Sequence, residues 1–564
     1  MNYKNQIAQD LHSVIGEHLS EQEIYQFIEV PKDSKHGDYA FPVFSLAKIF
    51  RKAPNQIAED LINNIPTTNY EEITAVGGYI NFFLRKELVS ETVLETVLTQ
   101  EEHYGDAEIG ENRNVPIDMS SPNIAKPMSM GHLRSTVIGN SLSMILDKVG
   151  FNTIRINHIG DWGTQFGKLI VAYKKWGSEE AVKDNPIEEL LKLYVQFHEE
   201  AEEDPELEVQ GRLWFKKLED ADPEAVALWE WFKEESLKEF QQVYDILNIT
   251  FDSTNGESFY NDKMDPIIEE LENQSLLISD KGADIVDLSA YDLNPALIKK
   301  SDGATLYITR DLAAAEYRIN NYDFAESLYV VGNEQSDHFK QLKAVLKEMG
   351  YDWSEDIKHI PFGLITSGGK KLSTRKGNVI LLEEVLQQAI KETKGNIEEK
   401  NPELENKDEV ARQVGVGAVV FHDLKNDRMN TFDFNIDEVI QFEGETGPYI
   451  QYTRSRCISM LKKAGWSMPE DVNHLSLNDV DSWEVIKALN NFPEKVVEAY
   501  NKYEPSVLAK YLIDLSQKFN KYYSKVKILD DDSQKEARLA LVYSVSVVIK
   551  EGLRLLGIES PDMM

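Results

Sequence analysis

Apolar and polar positions alternate with different periods along this chain, and the changes of period mark its parts. In "PNQIAEDLINNI" (54–65), Ile57, Leu61 and Ile65 recur every four residues behind Pro54, which predicts an amphipathic helix with proline in its first turn. "YINFFL" (79–84), after Gly77-Gly78, reads as a strand leaving a turn. Together these predict a small α/β unit over residues 1–108. From 115 the order becomes strand, helix, strand. "NVPIDMSS" is a buried strand, "GHLRSTVIGNSLSMILDKVG" a helix closed by Gly150, and "TIRINHIG" a second strand. That is the crossover unit of a parallel, doubly wound sheet. Further strands are predicted at "ATLYIT" (304–309), "SLYVVG" (327–332) and "HIPFGLIT" (359–366), with a largely helical, acidic insertion over about 176–300. From 437 onwards helix periods dominate. Leu508, Tyr511, Leu512, Leu515, Phe519 and Tyr522 fall three and four apart and define one buried stripe. The expected fold class is multidomain α/β. A small α/β unit (1–108) precedes a Rossmann-like doubly wound domain with a helical insertion (109–436), and an all-α bundle (437–564) closes the chain.

Composition adds few constraints. The 564 residues are 42% hydrophobic and 28% charged, which describes a soluble chain with a substantial core, enough for about three or four domains. No apolar run approaches the roughly 18 residues that span a bilayer, and the polar, amphipathic N-terminal stretch has no signal-peptide core. A single cysteine, Cys457, excludes an internal disulfide and points to the reducing cytoplasm. No Cys/His cluster has zinc spacing, so no metal site is expected. The net charge of −37 weighs against nucleic acid only superficially, because phosphate is met by local patches. "KIFRKAP" (48–54) and "KFNKYYSKVKIL" (518–529) are basic with interleaved aromatics, although such runs also describe an ordinary solvated helix face.

Two stretches carry candidate chemistry. In "SSPNIAKPMSMGHLRSTVIGN" (120–140), Gly131 and His132 fall in the first turn of a helix that comes after a strand. Helix N-termini present N–H groups to anions, and glycine lets a nucleotide approach the backbone. Taken alone the motif is weak, since a lone histidine there also serves as a structural residue. "SGGKKLSTRKGNVI" (367–380) is a glycine-containing loop with Lys370, Lys371, Arg375 and Lys376 around Ser373 and Thr374, suited to setting cations over a triphosphate.

The two stretches resemble the His-x-Gly-His and Lys-Met-Ser-Lys-Ser motifs of class I aminoacyl-tRNA synthetases, matched here by Ser129–His132 and by 371–375. Longer matches in "INHIGDWGTQFGKLI" (156–170), "DGATLYITRDLAAAEYR" (302–318) and "YVVGNEQSDHFKQL" (329–342) resemble the arginyl-tRNA synthetases. "HGDYAFPVFSLAKIFRKAPNQIAEDL" (36–61) with "GGYINFFL" resembles that family's N-terminal tRNA-contacting domain. "FEGETGPYIQYTRSR" (442–456) and the helices C-terminal to it resemble its anticodon-binding bundle.

The resemblance implies a ligase that activates L-arginine with ATP and transfers it to the terminal adenosine of tRNA-Arg. It implies ATP as substrate with Mg²⁺, no prosthetic group, no membrane association and a monomer. It assigns Lys126, His132, Lys371 and Ser373 to catalysis. The arginine site would comprise Ser121, Asn123, His132, Asn157, Tyr307, Asp311 and Gln335. ATP would meet Ser129, Gly131, His132, His338, Lys370, Lys371 and Lys376. Arg454, Arg456, Tyr522 and Met564 would contact tRNA. Two positions depart from the class motifs: Ser129 stands for the first histidine and Thr374 for the second lysine. The family uses a lysine just upstream of the first motif, here Lys126, to supply the missing charge. A guanidinium needs a carboxylate with further acceptors or an aromatic face. Tyr307 and Asp311, four apart, meet that need through the resemblance, whereas the local pattern alone equally fits a core aromatic and a helix N-cap. The absence of metal-ligand cysteines disfavours a cysteinyl enzyme, and the Tyr307/Asp311 pair favours a cationic substrate over a glutamyl one. A catalytically silent RNA-binding relative has no need to keep Lys126, His132, Lys371, Tyr307, Asp311 and Gln335 together.

Overall fold

The computed structural model describes residues 2–300, 307–367, 370–371 and 380–564. These fall into two compact units: residues 1–104, 456–492 and 514–548 form the first, and the remainder form the second.

In the first unit, strands β1 (Tyr39–Pro42), β2 (Tyr70–Val76) and β3 (Tyr79–Leu84) form an antiparallel sheet ordered β1-β3-β2. The Gly77-Gly78 turn joins β2 to β3 with both glycines at positive φ, which only glycine adopts without strain. Helix Pro54–Ile62 starts on its proline and buries Ile57, Ala58 and Leu61, as the four-residue period predicts. Asp10 is buried in this unit and accepts the Tyr70 hydroxyl at 2.6 Å.

The second unit is built on strands β4 (Asn114–Asp118) and β5 (Asn152–Ile156), joined by helix Met130–Lys148. Gly150, at φ +91, ends that helix in the left-handed conformation. The acidic insertion comes next. It contains helices Pro186–Glu203, Glu206–Glu219 and Pro223–Leu247, but it is not uniformly helical. Strands β6 (Leu277–Asp280), β7 (Ala283–Val286) and β8 (Ala296–Lys299) form an antiparallel sheet of their own. Strands β9 (Ser327–Gly332) and β10 (Ile357–Phe362) then complete the parallel sheet. Its order among the described residues is β10-β9-β4-β5.

Two strand expectations change. Tyr307–Thr309 open helix Tyr307–Tyr322 instead of a strand, and 304–306 lie outside the described residues. Tyr, Ile and Thr favour strands locally, but Ile308, Leu312 and Ala315 recur at helical spacing and are buried together. "HIPFGLIT" is two strands. The chain leaves β10 at Gly363, and β11 (Ile365–Ser367) joins β12 (Lys370–Lys371) and β13 (Phe432–Asp433) in a separate sheet ordered β12-β11-β13.

The strand order reverses between β4 and β9. In open parallel sheets the carboxyl ends on either side of such a reversal leave a crevice where ligands bind. The segments leaving β4, β5 and β9 at that edge carry Ser121, Asn157 and Gln335 respectively.

Candidate active site

The segment leaving β4 makes an unusual turn. Ser120 and Ser121 both have positive φ (70° and 52°), a conformation costing a non-glycine residue on the order of 1–3 kcal/mol. A dense set of hydrogen bonds imposes it. The Ser120 N–H donates to Ser135 Oγ at 2.9 Å, and its hydroxyl meets the Tyr244 hydroxyl at 2.7 Å. The Ser121 N–H donates to Asn157 Oδ1 at 3.1 Å, and its hydroxyl donates to Asp118 Oδ1 at 2.9 Å. Asp118 is itself held by the buried Arg318, whose Nη2 lies 2.9 Å from Oδ2. Asn157 also donates to Tyr244 at 3.0 Å. The structure therefore brings Ser121 and Asn157 together. Asn123 lies beside Gly160, where a Cβ would come within 2.0 Å of Asn123 Oδ1, so this close approach requires glycine.

Ser129 is the N-cap of helix Met130–Lys148, and His132 is its third residue. The Ser129 N–H donates to His132 Nδ1 at 3.0 Å. Burial holds the imidazole below its ordinary pKa, and an Nδ1 that accepts a hydrogen bond is unprotonated. His132 is thus a neutral ring carrying its proton on Nε2. Ser129 is a good N-cap residue in place of the class histidine. Gly131 leaves the helix start open, with only Ser129 Oγ within 4 Å of a built Cβ. Lys126 is exposed, its Nζ 5.6 Å from the Tyr194 ring centroid.

Backbone hydrogen bonds tie this corner to the end of the lysine-rich loop. Met130 N–H donates to Ile380 O at 3.1 Å, Leu382 N–H donates to Met128 O at 2.9 Å, and Ser129 pairs with Leu381. At the other end of the loop, the backbone of Lys370 and Lys371 pairs with Ser367 and Thr366. Ser373 and Lys376, with Thr374 and Arg375, lie outside the described residues.

Tyr307 opens its helix and is 64% exposed. One turn on, Asp311 accepts a 2.6 Å hydrogen bond from His338 Nε2. His338, expected at ATP, thus lies against Asp311 through Nε2. Gln335 ends the short turn Asn333–Gln335 and is exposed. Sequence reasoning missed Glu257. Its N–H donates to Ile159 O at 3.0 Å, beside the segment leaving β5, and its carboxyl feels both Asp161 and Asp311. Burial pushes Glu257 up to about 7, Arg310 opposes that rise, and the two aspartates add to it. A lone glutamate in "NGESFY", inside an acidic insertion, gave no periodic or motif signal.

Two of the four nucleic-acid candidates, Tyr522 and Arg454, are buried. Tyr522 is 1% exposed, its ring in the helix core, so it offers no face to a base. Arg454 is 5% exposed and donates to Ser560 O, Pro561 O and Asp562, which fastens the C-terminal tail instead of a phosphate. Met564 packs on the Ile397, Leu404, Val410 cluster, and its carbonyl accepts from Asn401 at 3.2 Å. Arg456 is partly exposed and lies over the ring of Tyr523, 4.8 Å from its centroid. Tyr523, the neighbour of the predicted tyrosine, is 41% exposed. A one-residue step on a helix turns a side chain by about 100°, enough to exchange core for surface.

The comparisons with known proteins cover the whole chain. Residues 93–436 match the family model of the class I (R) tRNA synthetase catalytic domain, 450–564 the DALR anticodon binding domain, and 1–84 the arginyl tRNA synthetase N terminal domain. The chain is 65% identical to the arginine–tRNA ligase of Enterococcus faecalis, with both chains fully covered. The chain belongs to the arginyl-tRNA synthetases. A second relative in this family, from Ligilactobacillus salivarius, is 62% identical over the full length of both chains. The fold is similar to the arginyl-tRNA synthetase structures of Thermus thermophilus (TM-score 0.78, 25% identity, all of both chains) and Plasmodium falciparum (TM-score 0.82, 25% identity, 100% and 99% covered). Among the described residues no helix is long and apolar enough to cross a membrane, and no group of three or more His, Cys, Asp or Glu could hold a metal.

Proposed function

We propose that this arginine–tRNA ligase divides its labour among the residues of the β4–β9 crevice and the lysine loop. A carboxylate oxygen of arginine attacks the α-phosphorus of ATP, the bond to the bridging oxygen breaks, and pyrophosphate leaves. A ribose hydroxyl of the tRNA terminal adenosine then attacks the arginyl carbonyl, and AMP leaves. Both steps depend on positioning and charge neutralisation. Ser121, Asn123, Asn157 and Gln335 hold the amino and carboxylate groups of the substrate. Asp311 receives the guanidinium with Tyr307 as its flat face, His338 orients Asp311, and Glu257 supplies the second carboxylate. His132 donates from Nε2 at the nucleotide, beside Ser129 and Gly131. Lys126, Lys370, Lys371 and Lys376 neutralise the phosphates, and Ser373 offers them a hydroxyl donor. Mg²⁺ arrives as part of the MgATP substrate, on phosphate oxygens. The enzyme acts as a monomer in the cytoplasm in this proposal.

The observation that carries this reading is the backbone pairing of 128–130 with 380–382, which joins the histidine corner to the lysine loop at one sheet edge. The test is arginine-dependent ATP–pyrophosphate exchange with and without tRNA-Arg. Exchange that requires both arginine and tRNA supports it. tRNA binding without exchange under either condition would leave a silent RNA-binding protein.

Glu257 gives the arginine site a pH dependence. Its carboxyl titrates at about 7 in the empty site, and an arriving guanidinium requires it ionised, so binding releases a proton at neutral pH. The apparent KM for arginine should rise about tenfold between pH 8 and pH 6, since each pH unit below the pKa costs a factor of ten. In Glu257→Gln that dependence should flatten. A KM equally pH-dependent in parent and variant would remove Glu257 from the site.

Tyr523 and Arg456 together offer an exposed aromatic face with a cation on it. Base stacking on such a face contributes about 1–3 kcal/mol. Tyr523→Ala should weaken tRNA-Arg binding about tenfold in filter binding while leaving the KM for arginine and ATP unchanged, and Tyr523→Phe should restore it. An unchanged tRNA affinity in Tyr523→Ala would mean that the nucleic acid does not use this face.

A further inference from the structure

Arg134 lies two residues beyond His132 on the same helix, with its side chain turned into the interior at 1% exposure. Its Nε is 3.3 Å from Asp423 Oδ1, and its Nη1 donates to Asn430 O at 2.8 Å. The guanidinium carbon lies 4.9 Å from the Phe432 ring centroid and 5.9 Å from that of Phe362. These four partners lead to one place. Phe432 is in β13, whose neighbour β11 pairs Ile365 with Phe432 and Thr366 with Lys371. Phe362 ends β10, and two residues separate it from the start of β11. Asn430 and Asp423 flank the segment that enters β13 from helix Lys407–Leu424. Arg134 therefore grips the small sheet from which the lysine loop departs, while 128–130 grip the loop's return at 380–382.

Buried ion pairs give little net stability, because desolvation of both charges offsets their attraction. Here the pair is also incompletely satisfied: among the described residues, Arg134 Nη2 and Asp423 Oδ2 have no hydrogen-bond partner. Burial pushes Asp423 up to about 6, with Arg134 opposing it. An apolar pair would fill the same space at less desolvation cost, but it would not fix the direction of four contacts at once.

We infer that Arg134 is a positioning residue for the ATP-dependent step: through Asp423, Asn430 and Phe432 it sets the β11–β12–β13 sheet, and with it the backbone of Lys370 and Lys371, relative to the His132 helix. This rests on the reading of the lysine loop as the phosphate-binding element. Residues 370–371 and 380–382 are then both tied to the start of the His132 helix, the latter by main chain and the former through a guanidinium.

The test uses the full chain with tRNA-Arg. Asp423→Asn keeps the shape and removes one charge, Arg134→Lys keeps the charge and loses the planar fork, and Lys371→Ala serves as comparator. Melting temperature is measured alongside KM for ATP, KM for arginine and turnover in pyrophosphate exchange, with rates normalised to folded protein. In Asp423→Asn and Arg134→Lys, turnover should fall at least tenfold and the KM for ATP should rise at least fivefold, with the KM for arginine within twofold of the parent. Turnover and ATP KM within threefold of the parent, with only the melting temperature lowered, would overturn the inference. Equal rises in both KM values would do the same. If Lys371→Ala leaves the ATP parameters untouched, the phosphate reading of the loop fails instead. A comparator that is impaired while both positioning variants remain normal isolates the failure to Arg134.

Discussion

Replacing Asp311 by asparagine should lower kcat/KM for arginine by about 10²–10³ while the KM for ATP stays within threefold. The change keeps the shape of the side chain and removes one unit of charge. If bound arginine buries the pair, leaving the cation without its carboxylate costs about 3–5 kcal/mol, and each 1.4 kcal/mol is a factor of ten. The effect is larger than that of a surface ion pair because Asp311 is oriented by His338 at 2.6 Å and reinforced by the nearby carboxyl of Glu257. The same argument predicts rejection of citrulline by the parent enzyme, since a neutral urea in place of the guanidinium leaves the acidic site uncompensated. Initial rates of exchange over an arginine series, in parent and variant, measure both. A loss below about tenfold would take Asp311 out of the guanidinium site.

Lys126→Ala should reduce the rate of adenylate formation about 100-fold with little change in the KM for arginine. The site lacks the class lysine at Thr374, so a cation must reach the phosphates from elsewhere, and removing one such donor typically costs 10²–10³ in rate. Lys126 is exposed and rests over the Tyr194 ring, a weak contact of about 0.5–1 kcal/mol for an exposed pair, from which a flexible amine departs readily. Tyr194→Leu should therefore cost far less than Lys126→Ala. Single-turnover formation of arginyl-adenylate with tRNA-Arg present separates the chemical step from binding. An unchanged rate in Lys126→Ala would end the compensation argument and leave the loop cations to act alone.

His132 shows how the two departures from the class motifs fit one site. With serine at 129, the helix begins on a residue suited to capping, and the Ser129 N–H fixes the histidine tautomer through Nδ1. The missing first histidine thus leaves a corner whose remaining imidazole is oriented by its own backbone.

What the sequence determined by itself was the part of the protein written in local period and in contiguous motifs. The strand-helix-strand unit around Gly131 and His132, the strands at 79–84 and 327–332, the buried stripe from Leu508 to Tyr522 and the lysine loop's place in the chain were all legible. Each depends on residues a few positions apart. Side-chain direction and partnership over long separations were not. Tyr307–Thr309 looked like a strand because their propensities are those of a strand, while the helix was decided by Ile308, Leu312 and Ala315 packing on residues far along the chain. Tyr522 and Tyr523 are adjacent and chemically alike, yet one is core and the other surface, because a helix turns about 100° per residue and only packing fixes its phase. Glu257 acquired its character from burial first, with Asp161 and Asp311, distant in sequence, adding to the rise. Arg134 sat in plain view beside the most recognisable motif of the chain. Its grip on Asp423, 289 residues away, exists only because tertiary structure converts sequence distance into contact.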